Sequence, residues 1–256
     1  MPRYFIEVSY RGTNFSGFQV QKNAVTIQSA VEIALFTLFR QQCQLTGSSR
    51  TDAGVHALQN YFHFDSEDEL IHSEETGKEE KSVEEILYSL NAILPADIVI
   101  KRIFKVQEEA HCRFDAAGRH YKYYLYNKKN PFHKDSAYYY PYKVDLEKLQ
   151  QAAFLILNTK EFATFSKKNT QVLNFNCFIQ KSEWIQEKDL LVYSVVANRY
   201  LRGMVKGLVG TMLRVGTGKL SLDEFIKVIE SRDCKNADFS PPSYGLFLVE
   251  VKFNHF

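Results

Sequence analysis

The same order of strand and helix patterns occurs twice along this chain, and this repetition limits the folds that it can adopt. In the first half, RYFIEVSY alternates as a half-buried strand does, and apolar residues then recur at helical spacing through TIQSAVEIALFTLFR. Two strands, a helix that Pro95 ends and a last strand follow, at CQLTGSS, ALQNYFHFD, SVEEILYSLNAIL and IVIKRIFKV. The predicted order is β-α-β-β-α-β.

The second half repeats this order and adds one helix, LSLDEFIKVIESR, with a capping box from Ser221 to Glu224. Its other elements are predicted at RHYKYYLYN, DLEKLQQAAFLILN with Asp145 as its cap, CFIQKSEWI, DLLVYSVVA, LRGMVKGLVGTMLRV and LFLVEVKF. We therefore predict an α+β fold of two ferredoxin-like (split βαβ) halves, residues 1–110 and 111–256. Their antiparallel sheets are expected to join into one extended sheet with helices packed on it and a cleft between the halves.

Several protein classes are disfavoured by what the chain lacks. No apolar stretch approaches the roughly 20 residues that span a bilayer, and we expect a cytoplasmic protein without membrane contact. The four cysteines occur singly, without a CxxC pair, and the seven histidines occur without HExxH spacing. We therefore expect chemistry without a metal or a small-molecule cofactor.

Charge is distributed unevenly, although the net charge is only +2. The segment from Arg113 to Lys134 holds six basic residues and one acidic residue, and that from Arg199 to Lys219 holds five basic residues and no acid. Much of the negative charge lies in residues 66–82, which we interpret as a surface insertion. The remaining surface is more basic than the total suggests, which is compatible with a nucleic-acid partner.

The stretch SSRTDAGVHALQNYFHF places Asp52 on a tight corner just ahead of a strand. Taken alone, Asp52 is explained as a turn former, because Thr, Asp and Gly are common corner residues. The corner also joins two strands of the first half, where a rigid frame can hold a functional side chain. Arg50 and His56 flank it, and both side chains suit contacts with phosphates or bases.

SSRTDAGVHA closely resembles the signature G-R-T-D-A-G-V-H-A of the bacterial tRNA pseudouridine synthase A family. Four further motifs resemble that family in the same order along nearly the whole chain, at YRGTNFSGFQVQ, HCRFDAAGRHYKYYLYN, ANRYLRGMVKGLVG and PPSYGLFLVEV. The resemblance implies an isomerase that converts uridine to pseudouridine at positions 38–40, in the anticodon stem-loop of tRNA. It also implies a homodimer and a catalytic role for Asp52.

The chain departs from the family pattern at five places. Lys206 stands at the position of a helix arginine, and lysine keeps the charge without the bidentate fork. The others are Phe18 for tryptophan, Arg11 for the acid of Y-D-G, Ser49 for glycine and Gly203 for histidine.

The chemistry requires an ionised carboxylate that attacks the sugar or the uracil ring, or that stabilises positive charge on the sugar. Lys206 is the predicted cation beside Asp52. By its motif, Tyr121 is predicted either as the base that accepts a proton or as a ring that stacks on uracil. The simpler alternative is that Tyr121 is one of several tyrosines on its strand, with Tyr123 on the same face.

Uridine in an RNA stem must be flipped outward before its glycosidic bond can be approached. By resemblance, Arg50 supports the vacated place, although an ion pair with a nearby acid is the alternative. Arg202 and Lys206 are predicted on one helical face with Arg199 a turn earlier, either to contact RNA or simply to aid solubility.

Two other classes of function remain as alternatives. A noncatalytic RNA-binding protein of the same fold would need the basic surface but not Asp52. A glycoside hydrolase normally needs a second carboxylate across the bond, and no comparable acidic motif occurs in the basic segments.

Overall fold

This computed structural model describes residues 1–67, 69–70, 82–168 and 172–254. Most of the acidic segment predicted as a surface insertion, namely residues 68 and 71–81, lies outside the described residues. The chain divides into two compact units. Unit 1 comprises residues 1–117 and 250–256, and unit 2 comprises residues 118–249.

The predicted α+β class is confirmed, since the described residues contain nine strands and five α-helices. The strands are β1 Arg3–Tyr10, β2 Thr46–Gly47, β3 His56–Asp65, β4 Ile98–Val106, β5 Ala116–Tyr126, β6 Tyr138–Tyr139, β7 Ile179–Glu187, β8 Leu190–Ala197 and β9 Leu246–Phe253. The helices are α1 Ile27–Phe39, α2 Val83–Ile93, α3 Leu146–Leu157, α4 Met204–Gly216 and α5 Leu222–Glu230. In unit 1 the strand order is β4-β1-β3 with β2 beside β3, and in unit 2 it is β5-β8-β7 with β6 beside β5.

In unit 1, β1 pairs antiparallel with both β3 and β4. The prediction that β1 is half-buried is wrong, because Phe5 is fully buried together with Tyr4, Ile6 and Val8, and both faces of the strand are therefore covered. Val31 and Leu35 of α1 are fully buried as well. Helix α1 begins at a capping box between Thr26 and Ser29, and α2 begins at one between Ser82 and Glu85. Capping side chains satisfy N–H groups that the first turn of a helix leaves without partners, so these two helix starts are defined locally.

In unit 2, β5, β8 and β7 pair antiparallel, and β6 runs parallel to β5. Asp145 caps α3 as predicted, and the capping box of α5 joins Ser221 and Glu224 as predicted. Helix α4 is apolar on nearly every side and is largely buried. None of the described helices combines the length and the apolar character that crossing a bilayer requires.

The strand predicted at CQLTGSS is wrong in its length, because only Thr46–Gly47 pair as strand β2. One more bond continues the ladder, from the Ser48 amide to the Tyr61 carbonyl at 2.8 Å. The Ser49 carbonyl instead accepts from the side-chain amide of Asn60 at 2.8 Å. A side chain thus replaces the backbone partner there, and the chain leaves the sheet.

A buried histidine occupies β3 of unit 1. Nδ1 of His63 lies 3.1 Å from Sγ of Cys112 and 3.4 Å from the Cys112 backbone amide, and its ring meets His111 edge-on at 4.5 Å. Burial, and then the charges of His111 and Arg3, lower the pKa of His63 from its ordinary 6.5 to about 4. His63 is therefore neutral in the folded protein at pH 7.

The low pKa of His63 predicts that stability falls in acid. Because its pKa is lower in the folded than in the unfolded chain, the contribution is complete above pH 6.5 and is lost as pH falls towards 4. We expect a loss of about 2 to 3 kcal/mol in the free energy of unfolding across that window. Urea unfolding of wild type and His63→Gln from pH 7 to 4 measures it, and equal slopes for the two proteins would refute the assignment.

Candidate active site

Asp52 begins a tight turn in the loop between β2 and β3, in unit 1. The Val55 amide donates to the Asp52 carbonyl at 3.1 Å, and Gly54, the third residue of the turn, has φ of +79°. This is the geometry of a type II turn, in which the third position needs positive φ and therefore favours glycine. The Asp52 side chain is exposed, whereas Thr51 and Val55 on either side of the turn are buried.

Arg50 lies two residues before Asp52 on the same loop. Its side chain is exposed, whereas the residues on either side of it, Ser49 and Thr51, are buried. A long cation is thus presented beside the exposed carboxylate by a backbone that is itself held in the protein.

The loop is held by buried hydrogen bonds on the side that precedes Asp52. The Phe18 amide donates to the Thr51 carbonyl at 3.0 Å, and the Tyr10 hydroxyl lies 2.8 Å from Oγ1 of Thr51. Asn60, which is fully buried, donates from Nδ2 to the Tyr10 hydroxyl at 3.1 Å and to the Ser49 carbonyl at 2.8 Å. Strands β1 and β3 therefore both contribute to the support of the loop.

The residue that follows the turn, His56, is buried, with only 1% of its surface exposed. Its Nδ1 accepts a hydrogen bond from the Gly12 amide at 3.1 Å. This burial does not favour the predicted contact between His56 and RNA. It indicates that the imidazole holds the end of β1 against the loop.

Tyr121 lies on β5 of unit 2, opposite Val195 of β8, with 8% of its surface exposed. Tyr123, which sequence spacing places on the same face, is fully buried and donates its hydroxyl to the Pro242 carbonyl at 2.7 Å. Burial raises the pKa of Tyr123. Tyr123 is thus a core residue, which favours Tyr121 over it as the functional tyrosine of this face.

Tyr200 supports Tyr121 and was not identified from sequence. The two rings meet edge-on, with centroids 4.9 Å apart and planes at 77°. The Tyr200 hydroxyl lies 2.9 Å from the Val195 carbonyl and 3.2 Å from the Arg119 carbonyl, and burial raises its pKa well above the ordinary value. The family motif that includes Tyr200 was recognised, but only the long-range contact reveals this packing.

The prediction that Arg199, Arg202 and Lys206 share one helical face is wrong. Helix α4 begins at Met204, and its N-cap, Gly203, has φ of +73°. Arg202 lies before the helix, where its side chain is exposed and its carbonyl accepts from the Lys167 amide at 3.0 Å. A left-handed glycine breaks the helical path that the apolar spacing suggested. The apolar residues of α4 that face the core include Met204, Val205, Leu208 and Val209.

Lys206 is the third residue of α4, and its ammonium group lies 3.4 Å from the Ser243 hydroxyl. Residue 203 makes no side-chain capping bond, and the first turn contains no acid. A lysine at the positive end of a helix is unfavourable unless an anion lies nearby. The start of α4 therefore suits a negatively charged partner. The pairing of Lys206 with Asp52 stays a prediction.

The described residues contain no cluster of three or more His, Cys, Asp or Glu side chains that could hold a metal ion.

The chain is similar to a known family over most of its length. A family model described as tRNA pseudouridine synthase matches residues 6–115 and 152–254. A tRNA pseudouridine synthase A from Parabacteroides distasonis is 42% identical over 253 residues, which is 99% of this chain and 96% of the relative. Proteins of the same name from Bacteroides fragilis and Porphyromonas gingivalis are each 40% identical, covering 98% and 99% of this chain and 96% and 98% of the relatives.

Close packing at Gly12 yields a testable consequence for the loop. A Cβ at Gly12 would overlap the backbone carbonyl of Val55. We expect Gly12→Ala to lower the free energy of unfolding by about 1 to 3 kcal/mol, because backbone must move to make room. Gly118→Ala is the matched control, since its Cβ would lie 3.6 Å from the nearest atom, the Ala197 carbonyl oxygen. Urea unfolding compares the two, and an equal effect would contradict the packing.

Proposed function

This chain belongs to the tRNA pseudouridine synthase family, and we propose from this membership that it isomerises uridines 38–40 in the anticodon stem-loop of tRNA, with Asp52 as its catalytic carboxylate. The observation that carries the role of Asp52 is its exposed position on a turn whose flanking residues are buried and hydrogen-bonded. Such a frame holds one carboxylate in a defined place for an incoming nucleotide.

The reaction moves one bond and one proton. The bond from ribose C1′ to uracil N1 breaks, the detached base turns, and a bond from C1′ to C5 forms. C5 loses a proton and N1 gains one, so the reaction has no net change in oxidation state and needs no external reactant. The carboxylate acts either as a nucleophile or as the anion that stabilises positive charge on the sugar.

We assign supporting roles in the reaction to two residues of unit 2. Tyr121, held edge-on by Tyr200, would stack on uracil or accept the proton from C5. Lys206, at the positive end of α4, would be the cation that pairs with the carboxylate. The rates of pseudouridine formation by Lys206→Arg and Lys206→Met test this role, because only the arginine variant keeps the positive charge.

We assign contacts with RNA to three arginines, one near Asp52 in the sequence and two just before helix α4. Arg50, exposed next to the turn, would fill the place that the flipped uridine leaves. Arg199 and Arg202, in the segment between β8 and α4, would bind backbone phosphates. His56 is left out of this group because it is buried.

The central prediction is that Asp52→Asn abolishes catalysis and spares binding. We expect pseudouridine formation on unmodified tRNA to fall by more than about 10³-fold, because the amide can neither attack nor balance positive charge. The tRNA Kd should change by less than about threefold, because the carboxylate contacts no phosphate. The assay maps pseudouridine positions in the tRNA after incubation.

Asp223→Asn, at an exposed position in the first turn of α5, is the matched control and should retain the wild-type rate. Equal conversion by Asp52→Asn and wild type would end the assignment of Asp52. Pseudouridine at other positions only would refute the anticodon stem-loop as the target.

We also propose that the protein acts as a cytoplasmic homodimer, since two copies would extend the basic surface over a folded RNA. Sedimentation velocity across protein concentrations should give twice the monomer mass at the concentrations used in the assay. A fully active monomer would exclude this assembly.

A further inference from the structure

We propose that the Tyr10 hydroxyl is a positioning group for catalysis, which holds the loop that carries Asp52 through its hydrogen bond with Thr51. This inference rests on the proposed role of Asp52 and adds a residue of β1 to those that act in the proposed reaction.

The Tyr10 hydroxyl joins two segments that lie far apart in the sequence. Tyr10 is the last residue of β1, and Thr51 directly precedes Asp52, so 41 residues of sequence separate two oxygens that lie 2.8 Å apart. Tyr10 and Thr51 have 4% and 8% of their surfaces exposed. A hydrogen bond between buried groups is strong, and a buried polar group that loses its partner lowers the free energy of unfolding.

The Tyr10 hydroxyl also belongs to a buried hydrogen-bond network centred on Asn60. Asn60 donates to the Tyr10 hydroxyl and to the Ser49 carbonyl, while its own Oδ1 accepts from the Tyr61 amide at 2.9 Å. Asn60 therefore fixes the phenol oxygen relative to the backbone of β3, and that oxygen in turn fixes Thr51. Satisfied networks of this kind rigidify what they join.

The end of β1 and the residues just after it hold the loop on both sides of Asp52. Tyr10 bonds Thr51 before the turn, and two residues later the Gly12 amide bonds His56 after it. The intervening turn, from Asp52 to Val55, is closed by its own backbone bond. Displacement of either support would shift the carboxylate, and a misplacement of about 1 Å can cost about a hundredfold in rate.

The ring of Tyr10 is placed independently of its hydroxyl. It packs at 5.9 Å from the Phe18 ring, which stacks on Phe62 at 4.5 Å and 9°. Tyr10→Phe therefore removes the hydroxyl and leaves an aromatic ring that can keep these contacts. This makes it a sharp test of positioning rather than of folding.

The experiment compares Tyr10→Phe, Thr51→Val, the double variant and Tyr61→Phe in single-turnover conversion of tRNA, tRNA binding and thermal unfolding. We expect each of the first two to slow conversion by about tenfold or more with tRNA Kd within about twofold of wild type. The double variant should be no slower than the single ones, because all three lack the same bond.

Tyr61→Phe is the matched control, since it also removes a buried hydroxyl from the sheet of unit 1, one that donates to Glu7 at 2.9 Å. It should lose stability without losing rate. A wild-type rate in Tyr10→Phe would overturn the inference. So would a rate loss of equal size in Tyr61→Phe, or a loss confined to tRNA affinity.

Amide hydrogen exchange separates this inference from the proposed function. Tyr10→Phe should accelerate exchange at the Phe18 and Val55 amides, which bond within or against the loop, and Tyr61→Phe should not. Unchanged exchange in Tyr10→Phe would overturn the inference even in an active enzyme. Inactivity of the wild type on tRNA, with accelerated exchange in Tyr10→Phe, would refute the function and leave the support of the loop standing.

Discussion

Strand β1 is hydrogen-bonded along both sides, to β3 and to β4, and its last residues hold the loop that carries Asp52. Antiparallel pairing, with a shift in register between Val8 and Tyr10, sets the position of Tyr10 relative to β3. The phenol oxygen of Tyr10 thereby lies within hydrogen-bond distance of Asn60 and Thr51. These hydrogen bonds to the sheet restrain the exposed turn. A carboxylate on a free surface loop would have to be ordered at each encounter with substrate, at a cost in conformational entropy.

Lys206 carries the same charge as the arginine that it replaces, but it presents that charge with a different geometry. Lys206 lies in the first turn of α4, where the helix already carries partial positive charge, and Gly203 adds no capping side chain. A compact ammonium group adds to that field without the planar fork of a guanidinium group. In the proposed function, Lys206 would therefore offer an anion a compact charge, without the paired donors of an arginine.

Much of the fold and part of the site could be predicted from sequence, but the fold and the site were predictable for different reasons. Periodicity and capping residues act within one turn or one strand, so β4, β9 and the starts of α2, α3 and α5 were predicted closely. Asp52 was identified because SSRTDAGVHA resembles a family signature, whereas the corner taken alone indicated only a turn former. Tyr200 was not, because its role depends on contacts with Tyr121 and with carbonyls of two strands.

The sequence by itself determined the repeated order of elements, the α+β class and the turn that presents Asp52, since each depends on residues close together in the chain. Only the tertiary structure decided that His56 is buried, that β2 stops at Gly47 and that α4 starts after Gly203. His56 is hydrogen-bonded to the Gly12 amide. Strand β2 ends where the Asn60 side chain donates to the Ser49 carbonyl. Contacts between residues far apart in the sequence compete with the local preference of each segment for helix, strand or turn. No short stretch of sequence predicts which of the two prevails.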